Sequence, residues 1–402
     1  MRFILILILL FGLGYSVFLH SQEKAVINIP SSPPQSPSPE LLPPGINNTH
    51  IPLSLPDGFA ISIFAKDLGD ARVLQLDGNG RVLVSAPRQG RIIALSDKDG
   101  DGSADQKQTV ISGLNRPHGF VFLPEDNSKL YISETDQVAE YTYDVTRGVA
   151  TRNKILLDLP GGGNHFTRTI GFGPDGKMYI SVGSTCNVCI ERDSQRAAIL
   201  QVNPDGTGEK IFATGLRNSV FFTWNYFDNR MWATEMGRDH LGDTTPPDEI
   251  NIIEAEKYYG WPYCYGKKVH DDNFDKSQNA NNLCEQSTPS IIDIPAHSAP
   301  LGLVFIPPVK GWPKEYWNNL LVAYHGSWNR SEPTGYKIVR YILDTHGKVL
   351  EEVDFISGWI SGDTVLGRPV DILASAGGHI YISDDKAGII YRMEWLGDAP
   401  IF

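Results

Sequence analysis

The stretch from Leu159 to Val182 holds the residues best suited to do chemistry: His165 and Arg168 stand three apart, just ahead of the apolar Ile170 and Phe172. A Pro174-Asp175-Gly176 turn then leads into a second apolar run, Met178 to Val182. Imidazole is the side chain whose ordinary pKa lies nearest neutrality, so it can take or give a proton at physiological pH. A guanidinium beside it is a fixed positive charge with a fork of donors, suited to an anion. Turn residues between two β-rich runs make a hairpin, and here the polar pair heads its first strand.

The arrangement recurs. Six related units begin near Arg72, Pro117, His165, Arg217, Ala299 and Arg368. Each continues through a turn into a second strand, near Val82, Leu130, Met178, Met231, Leu320 and Ile380. Helical periodicity is scarce, and the early spacing of about 45–50 residues suits one four-stranded blade. The fold class is therefore all-β: a six-bladed β-propeller of four-stranded antiparallel blades over residues 51–402. The two longer late gaps place insertions in Met236 to Ile292 and in His325 to Gly367. Ala60-Ile-Ser-Ile-Phe64 precedes the first unit and is expected to pair with the last blade and close the ring. A β-sandwich would explain neither the unit count nor the recurrent motif.

The innermost strand of a propeller blade borders the central channel. The heads of the units therefore converge on one mouth: His118, His165 with Arg168, Arg217 with Asn218, His297, and Arg368. Any one of these could simply satisfy a loop carbonyl. Equivalent positions that repeatedly carry His or Arg point instead to a shared anionic or redox ligand.

A net charge of −12 over 402 residues argues against a nucleic-acid partner. Arg2 is followed by an apolar run from Phe3 to about Leu19, so residues 1–22 read as a cleaved signal peptide or a retained membrane anchor. No Cys lies near enough for a lipoprotein. A Pro/Ser-rich linker occupies 23–50. The expected location is periplasmic or extracellular. Four cysteines in such a chain suggest two disulfides, and Cys186 with Cys189 and Cys264 with Cys284 is the simplest pairing. A zinc site or a redox CxxC is the rival reading.

Asp97, Asp99, Asp101 and Asp105 alternate around a glycine-containing turn, either a structural calcium loop or a solvated acidic turn. Gln108 stands where an EF-hand loop ends in Glu, so this is not an EF-hand. His325-Gly-Ser-Trp-Asn lacks the elbow of a serine hydrolase and reads as a loop beside the pocket, with His325 and Trp328 as walls. Trp261 reads as packing.

With these residues in view, the chain resembles the glucose/sorbosone dehydrogenase family, the soluble quinoprotein sugar dehydrogenases that use pyrroloquinoline quinone, and most closely their sorbosone dehydrogenase-like branch. Asn115-Arg-Pro-His-Gly, Asn164 to Tyr179, Gly215-Leu-Arg-Asn, Asp248-Glu-Ile-Asn, Tyr259-Gly-Trp-Pro, Pro295 to Gly302, His325 to Asn329 and Gly367 to Asp371 carry the resemblance over roughly Pro52 to Trp395. It implies that His165 is the catalytic base and that Arg217 and Asn218 face the quinone oxygens. Lys337 and Arg368 would bind the cofactor's carboxylates, with His118 and Arg168 also beside it. The backbone carbonyls of Gly237 and Arg238 would hold a calcium ion, although glucose-specific members carry Pro where this chain has Arg238. A small sugar would be the substrate, and a soluble or membrane electron acceptor would complete turnover. A calcium-dependent lactonase and a non-catalytic binding propeller remain the alternatives.

Overall fold

Each of the six units is built on a four-stranded antiparallel sheet, blades 3 and 6 each adding a short parallel edge strand, in the computed structural model, which describes residue 42 and residues 44–276, 280–309 and 311–397. The apolar N-terminal run and the Pro/Ser-rich stretch up to residue 41 lie outside the described residues. Blade 1 comprises Leu74–Leu76, Val82–Ala86, Arg91–Ser96 and Gln106–Ser112. Blade 2 runs Phe120–Leu123, Asp126–Ser133, Gln137–Asp144 and Val149–Asp158, and blade 3 runs Ile170–Phe172, Met178–Val182, Ala198–Val202 and Lys210–Thr214. Blade 4 is Phe222–Trp224, Met231–Glu235, Asp248–Ile253 and Ile292–Ile294; blade 5 is Pro300–Phe305, Leu320–Tyr324, Lys337–Leu343 and Val349–Ile356. Pro369–Ala374, Ile380–Asp384 and Ile389–Trp395 give three strands of blade 6.

Phe59–Ala65 supplies the fourth strand of blade 6, with Ala60 opposite Glu394, so the ring closes as expected. Ile46–Asn47 pairs in parallel with that strand, so the fold takes in residues assigned above to the linker. The two long gaps each contain regular blade strands as well as insertions. Between the last two strands of blade 4 lie a small hairpin (Cys264–Tyr265 with Val269–His270) and the helix Asn281–Gln286. Disulfides join Cys186 to Cys189 and Cys264 to Cys284. No helix among the described residues is long and apolar enough to cross a membrane.

The second strands end in a repeated hydroxyl, and its purpose is visible between the blades. Ser133 Oγ of blade 2 donates to the Arg168 carbonyl at the head of blade 3, 2.5 Å away. Thr234 Oγ1 of blade 4 reaches the Leu301 carbonyl of blade 5 at 2.8 Å, and Ser383 Oγ of blade 6 reaches the Arg72 carbonyl at 2.5 Å. These hydroxyls are buried, where an unpaired polar group is costly. They thereby fix where each inner strand begins, and with it the residue at the channel mouth.

Phe59 is fully buried and touches four aromatic rings, Trp312, Tyr316, Phe355 and Trp395, at centroid distances of 4.8–5.6 Å. Gly58 turns at φ +80 directly beneath Trp395. The closing strand is therefore welded to blades 5 and 6 by packing as well as by its ladder. Phe59→Ala should lower the unfolding free energy by about 3–5 kcal/mol in a urea titration; a loss under about 1 kcal/mol would show that this cluster does not secure the ring.

Candidate active site

His165 lies on the loop leading into the inner strand of blade 3, and its ring is held from behind. Nδ1 lies 2.9 Å from the Ser184 carbonyl and 3.0 Å from Ser184 Oγ, which itself donates to the Cys186 carbonyl at 2.7 Å. The carbonyl can only accept, so Nδ1 carries the hydrogen and Nε2 keeps its lone pair. Burial, with the Arg217 charge next in weight, pushes this imidazole down to about 3. It is therefore neutral throughout the physiological range. A Cβ at Gly183 would come within 2.6 Å of His165 Cβ and 2.7 Å of Asn218 Oδ1. Glycine at this position lets the imidazole and the carboxamide share one side of the cleft.

Arg217 and Asn218 open the inner edge of blade 4. All five Arg217 N–H groups are used within the protein. Nε donates to the Asn187 carbonyl, Nη1 to the Met236 and Gly237 carbonyls, and Nη2 to Asn187 Oδ1 and Asp239 Oδ2, at 2.9–3.2 Å. The guanidinium is thus a fixed charge at the cleft wall rather than a free fork. Asn218 differs: its side-chain amide meets only Met236 Sδ, at 3.5 Å. Its backbone N–H is tied to Glu235 Oε1 at 2.7 Å, and Ser219 donates to Glu235 Oε2 at 2.6 Å. Glu235 is fully buried, and burial lifts its carboxyl to about 8. Asp248 accepts from the Gly237 and Ala299 N–H groups, both at 2.8 Å, and burial lifts it to about 7.

His165, Arg217, Asn218 and Asp248 line a cleft of about 490 Å³ with Asp239, His297, Trp328 and Asn329. Trp328 is 70% exposed at its mouth. An adjoining cavity of about 450 Å³ shares His165, Asn218 and Met236 and adds Arg72, Phe166, Val220, Leu301 and His325. His325 is a wall, as expected, clamped between Asp385 (Nε2 to Oδ1, 2.8 Å) and Arg368 (Nη1 to Nδ1, 3.3 Å). Trp261 is buried packing whose indole lies 3.4 Å from the Asn187 carbonyl.

Other expected ligands sit elsewhere. Lys337 lines neither cavity; it lies on the third strand of blade 5, with Nζ 2.5 Å from Asp354 Oδ1. Arg368 spends its donors on His325, the Gly326 and Ser327 carbonyls and Tyr336, so it braces the His325 loop. Arg168 is fully buried and props the His165 loop through the His165, Thr167 and Pro160 carbonyls. His118 lies buried beside Thr169, Phe166 and Phe221, with Nε2 lacking a partner. Its burial pulls the ring well below its usual range. Arg368, Arg168 and His118 stand at the heads of related units, but side-chain length and the neighbouring carbonyls turn them to different tasks.

The cation that does reach the second cavity is Arg72, which heads the first unit just as Arg217 heads the fourth. Nη1 pairs with Asp385 at 2.7 Å, while its buried Nε has no partner. Arg116 stacks 3.6 Å above the Phe166 ring, with no carboxylate partner among the described residues. Burial, with the Arg88 charge next in weight, lowers its pKa, while Asp70 opposes the shift. Arg72 could have been found from the unit alignment. Asn187, Asp239 and Asp385 could not, because long-range folding alone brings them to the site.

The Gly237 backbone borders the cleft, its carbonyl already accepting from Arg217, whereas the Arg238 side chain turns away to Asp271 at 2.8 Å. In the acidic turn, Asp97, Asp99 and Asp105 converge closely enough to share a cation; Asp101 is outside that group and accepts from the Ser103 N–H.

A family described as TrAA12-like matches residues 53–395. An uncharacterized protein of Borreliella burgdorferi is 32% identical over 85% of this chain and 90% of its own length. The pyrroloquinoline quinone-dependent pyranose dehydrogenase of Coprinopsis cinerea is 25% identical over 74% of this chain, and the match spans 46% of that protein. A calcium structure of Trichoderma reesei carbohydrate-active enzyme family AA12 superposes with a TM-score of 0.74 at 19% identity, covering 87% of this chain and all of that one.

Glu235 gives a pH test. Its folded pKa, about 8, lies above its ordinary 4.5. The bound proton therefore stabilises the fold fully at low pH, and that contribution is lost as pH rises through about 8. Glu235→Gln removes the titration, so its denaturation midpoint should vary less between about pH 5 and 8 than that of the parent. Parallel pH curves for the two would rule out a proton on Glu235.

Proposed function

The chain belongs to the TrAA12-like family, and we propose that it is a pyrroloquinoline quinone-dependent sugar dehydrogenase with His165 as the catalytic base. The observation that carries this reading is the neutral His165 tautomer, with Nδ1 occupied and Nε2 free beside a cleft bordered by fixed positive charge. The family relationship to a quinone-dependent pyranose dehydrogenase supports the same chemistry.

The residues present fit a flat, tricarboxylate cofactor. Val220, Met236, Leu301 and Phe166 offer apolar surface to a ring. Arg72 and Arg116 supply the positive charge that Lys337 and Arg368, committed elsewhere, do not. An orphaned buried Nε on Arg72 is the kind of donor that a ligand carboxylate completes. The Gly237 carbonyl, with Asp239 and Asp248 in the same cleft, would hold calcium, and the resemblance adds the carbonyl of the next residue, Arg238.

A quinone held here would supply the hydride acceptor for the sugar carbon, and a soluble or membrane acceptor would take up the electrons. His165 Nε2 takes the hydroxyl proton as the carbon–hydrogen bond breaks. Ser184 keeps the ring in the tautomer that can do so. Asn218 offers a free carboxamide N–H to a polarised oxygen, and the Arg217 charge stabilises negative charge forming nearby. Trp328 provides an exposed ring at the mouth against which a pyranose can lie. The two disulfides and the N-terminal apolar run support an exported protein.

The test is to add pyrroloquinoline quinone and calcium to the purified protein and follow substrate-dependent bleaching with a panel of aldoses and sorbosone. Binding with reduction is expected; absence of binding at micromolar cofactor would overturn the reading. His165→Ala should cut turnover about a hundred-fold or more while leaving cofactor binding intact. Arg72→Ala should weaken cofactor binding by roughly ten-fold or more, the value of one charge-assisted bond, and Lys337→Ala by less than about two-fold. Equal effects of the two would remove Arg72 from the carboxylate clamp.

A further inference from the structure

The Cys186–Cys189 disulfide closes a ring of four residues, Cys186-Asn187-Val188-Cys189, that the proposed chemistry leaves unused. The ring sits directly behind both principal side chains of the site. On one side the Cys186 carbonyl accepts from Ser184 Oγ at 2.7 Å, and Ser184 is the group that holds His165 Nδ1. On the other side Asn187 is bonded to both Arg217 and Asp239. Its carbonyl accepts from Arg217 Nε at 2.9 Å, and its Oδ1 accepts from Arg217 Nη2 at 2.9 Å and from the Asp239 N–H at 2.8 Å. Its Nδ2 donates to the Asp239 carbonyl at 3.0 Å. Next to the ring, Glu191 accepts from the Thr185 N–H and hydroxyl, and Ile190 is 68% exposed, so the loop has little apolar packing to hold its shape.

We propose that this disulfide-closed ring is the positioning device of the active site, with Asn187 as the positioning residue that orients Arg217 and Asp239 against His165. The proposal rests on the dehydrogenase reading only for the name of the reaction, since the contacts are those of the protein alone. A ring this short constrains little of the unfolded chain, so its contribution to global stability is small. The Cys264–Cys284 bridge spans 20 residues and is the natural control, because the entropic stabilisation from a disulfide grows with loop length.

The experiment compares the full protein with three variants: Asn187→Ala, the pair Cys186→Ser/Cys189→Ser, and the pair Cys264→Ser/Cys284→Ser. The readout is the His165 imidazole titration by carbon-13 NMR in the absence of cofactor, with His165→Gln identifying the signal among ten histidines. Burial, with the Arg217 charge next in weight, holds that imidazole low. Loosening the ring should raise its midpoint by at least one pH unit in the first two variants and leave it unmoved in the third. Melting temperature should order the opposite way, with the Cys264–Cys284 variant falling furthest. Quinone affinity by fluorescence quenching should drop ten-fold or more in the first two variants. An unmoved His165 midpoint in both Asn187→Ala and the Cys186/Cys189 pair overturns the proposal. So does a shift of equal size in the Cys264/Cys284 pair. If the parent does not bind quinone, the dehydrogenase reading fails, and the titration still decides the role of the ring.

Discussion

The cross-blade hydroxyl bond is the interaction on which the rest of this structure depends. A propeller packs sheets that share no ladder, so something other than strand pairing must set the height of one blade against the next. Buried Ser133, Thr234 and Ser383 do this by donating to the carbonyl at the start of a neighbouring inner strand. Those carbonyls belong to Arg168, Leu301 and Arg72, residues at or next to the channel mouth. A sub-ångström change in blade register would move the rim residues by the same amount, and hydrogen bonding is steep enough with distance to notice. The short hydrophobic strands supply most of the burial, but they would tolerate sliding; the directional bonds would not.

Upon that frame the site is arranged by burial more than by pairing. Burial makes a neutral base of His165 and keeps protons on Glu235 and, near neutrality, on part of Asp248. Arg217 stays charged yet has no donor to spare. The consequence is a cleft whose wall is largely oriented already, with the His165 lone pair and the Asn218 amide among its open functions. Preorganised charge of this kind needs no rearrangement as negative charge develops.

Much of this was legible beforehand. Alternating apolar runs and turn residues gave the blade count and the pairing of the strand beginning at Ala60 with the last blade; its register, Ala60 opposite Glu394, is set by the fold. His165, Arg217 and Asn218 were legible because each heads a unit, and such a position fixes a backbone location. What a side chain does there was less legible. Arg168 and Arg368 lie at equivalent heads, but each finds loop carbonyls within reach and becomes a brace. Lys337 sits on a third strand, away from the mouth, and meets Asp354 across the ladder. Asn187 has no counterpart in the repeat at all; its role arises only where the disulfide loop, Arg217 and the Asp239 loop meet in space.

The closing strand has a consequence for biogenesis. Phe59–Ala65 is an almost wholly apolar stretch whose ladder partner, Ile389–Trp395, leaves the ribosome last among the described strands. At ordinary rates of about 5–20 residues per second the interval is on the order of tens of seconds. Through that time an apolar edge waits unpaired, the kind of segment that seeds misassociation. A nascent chain of this design gains from being kept extended, by a holding chaperone or an export channel, until its last blade is complete.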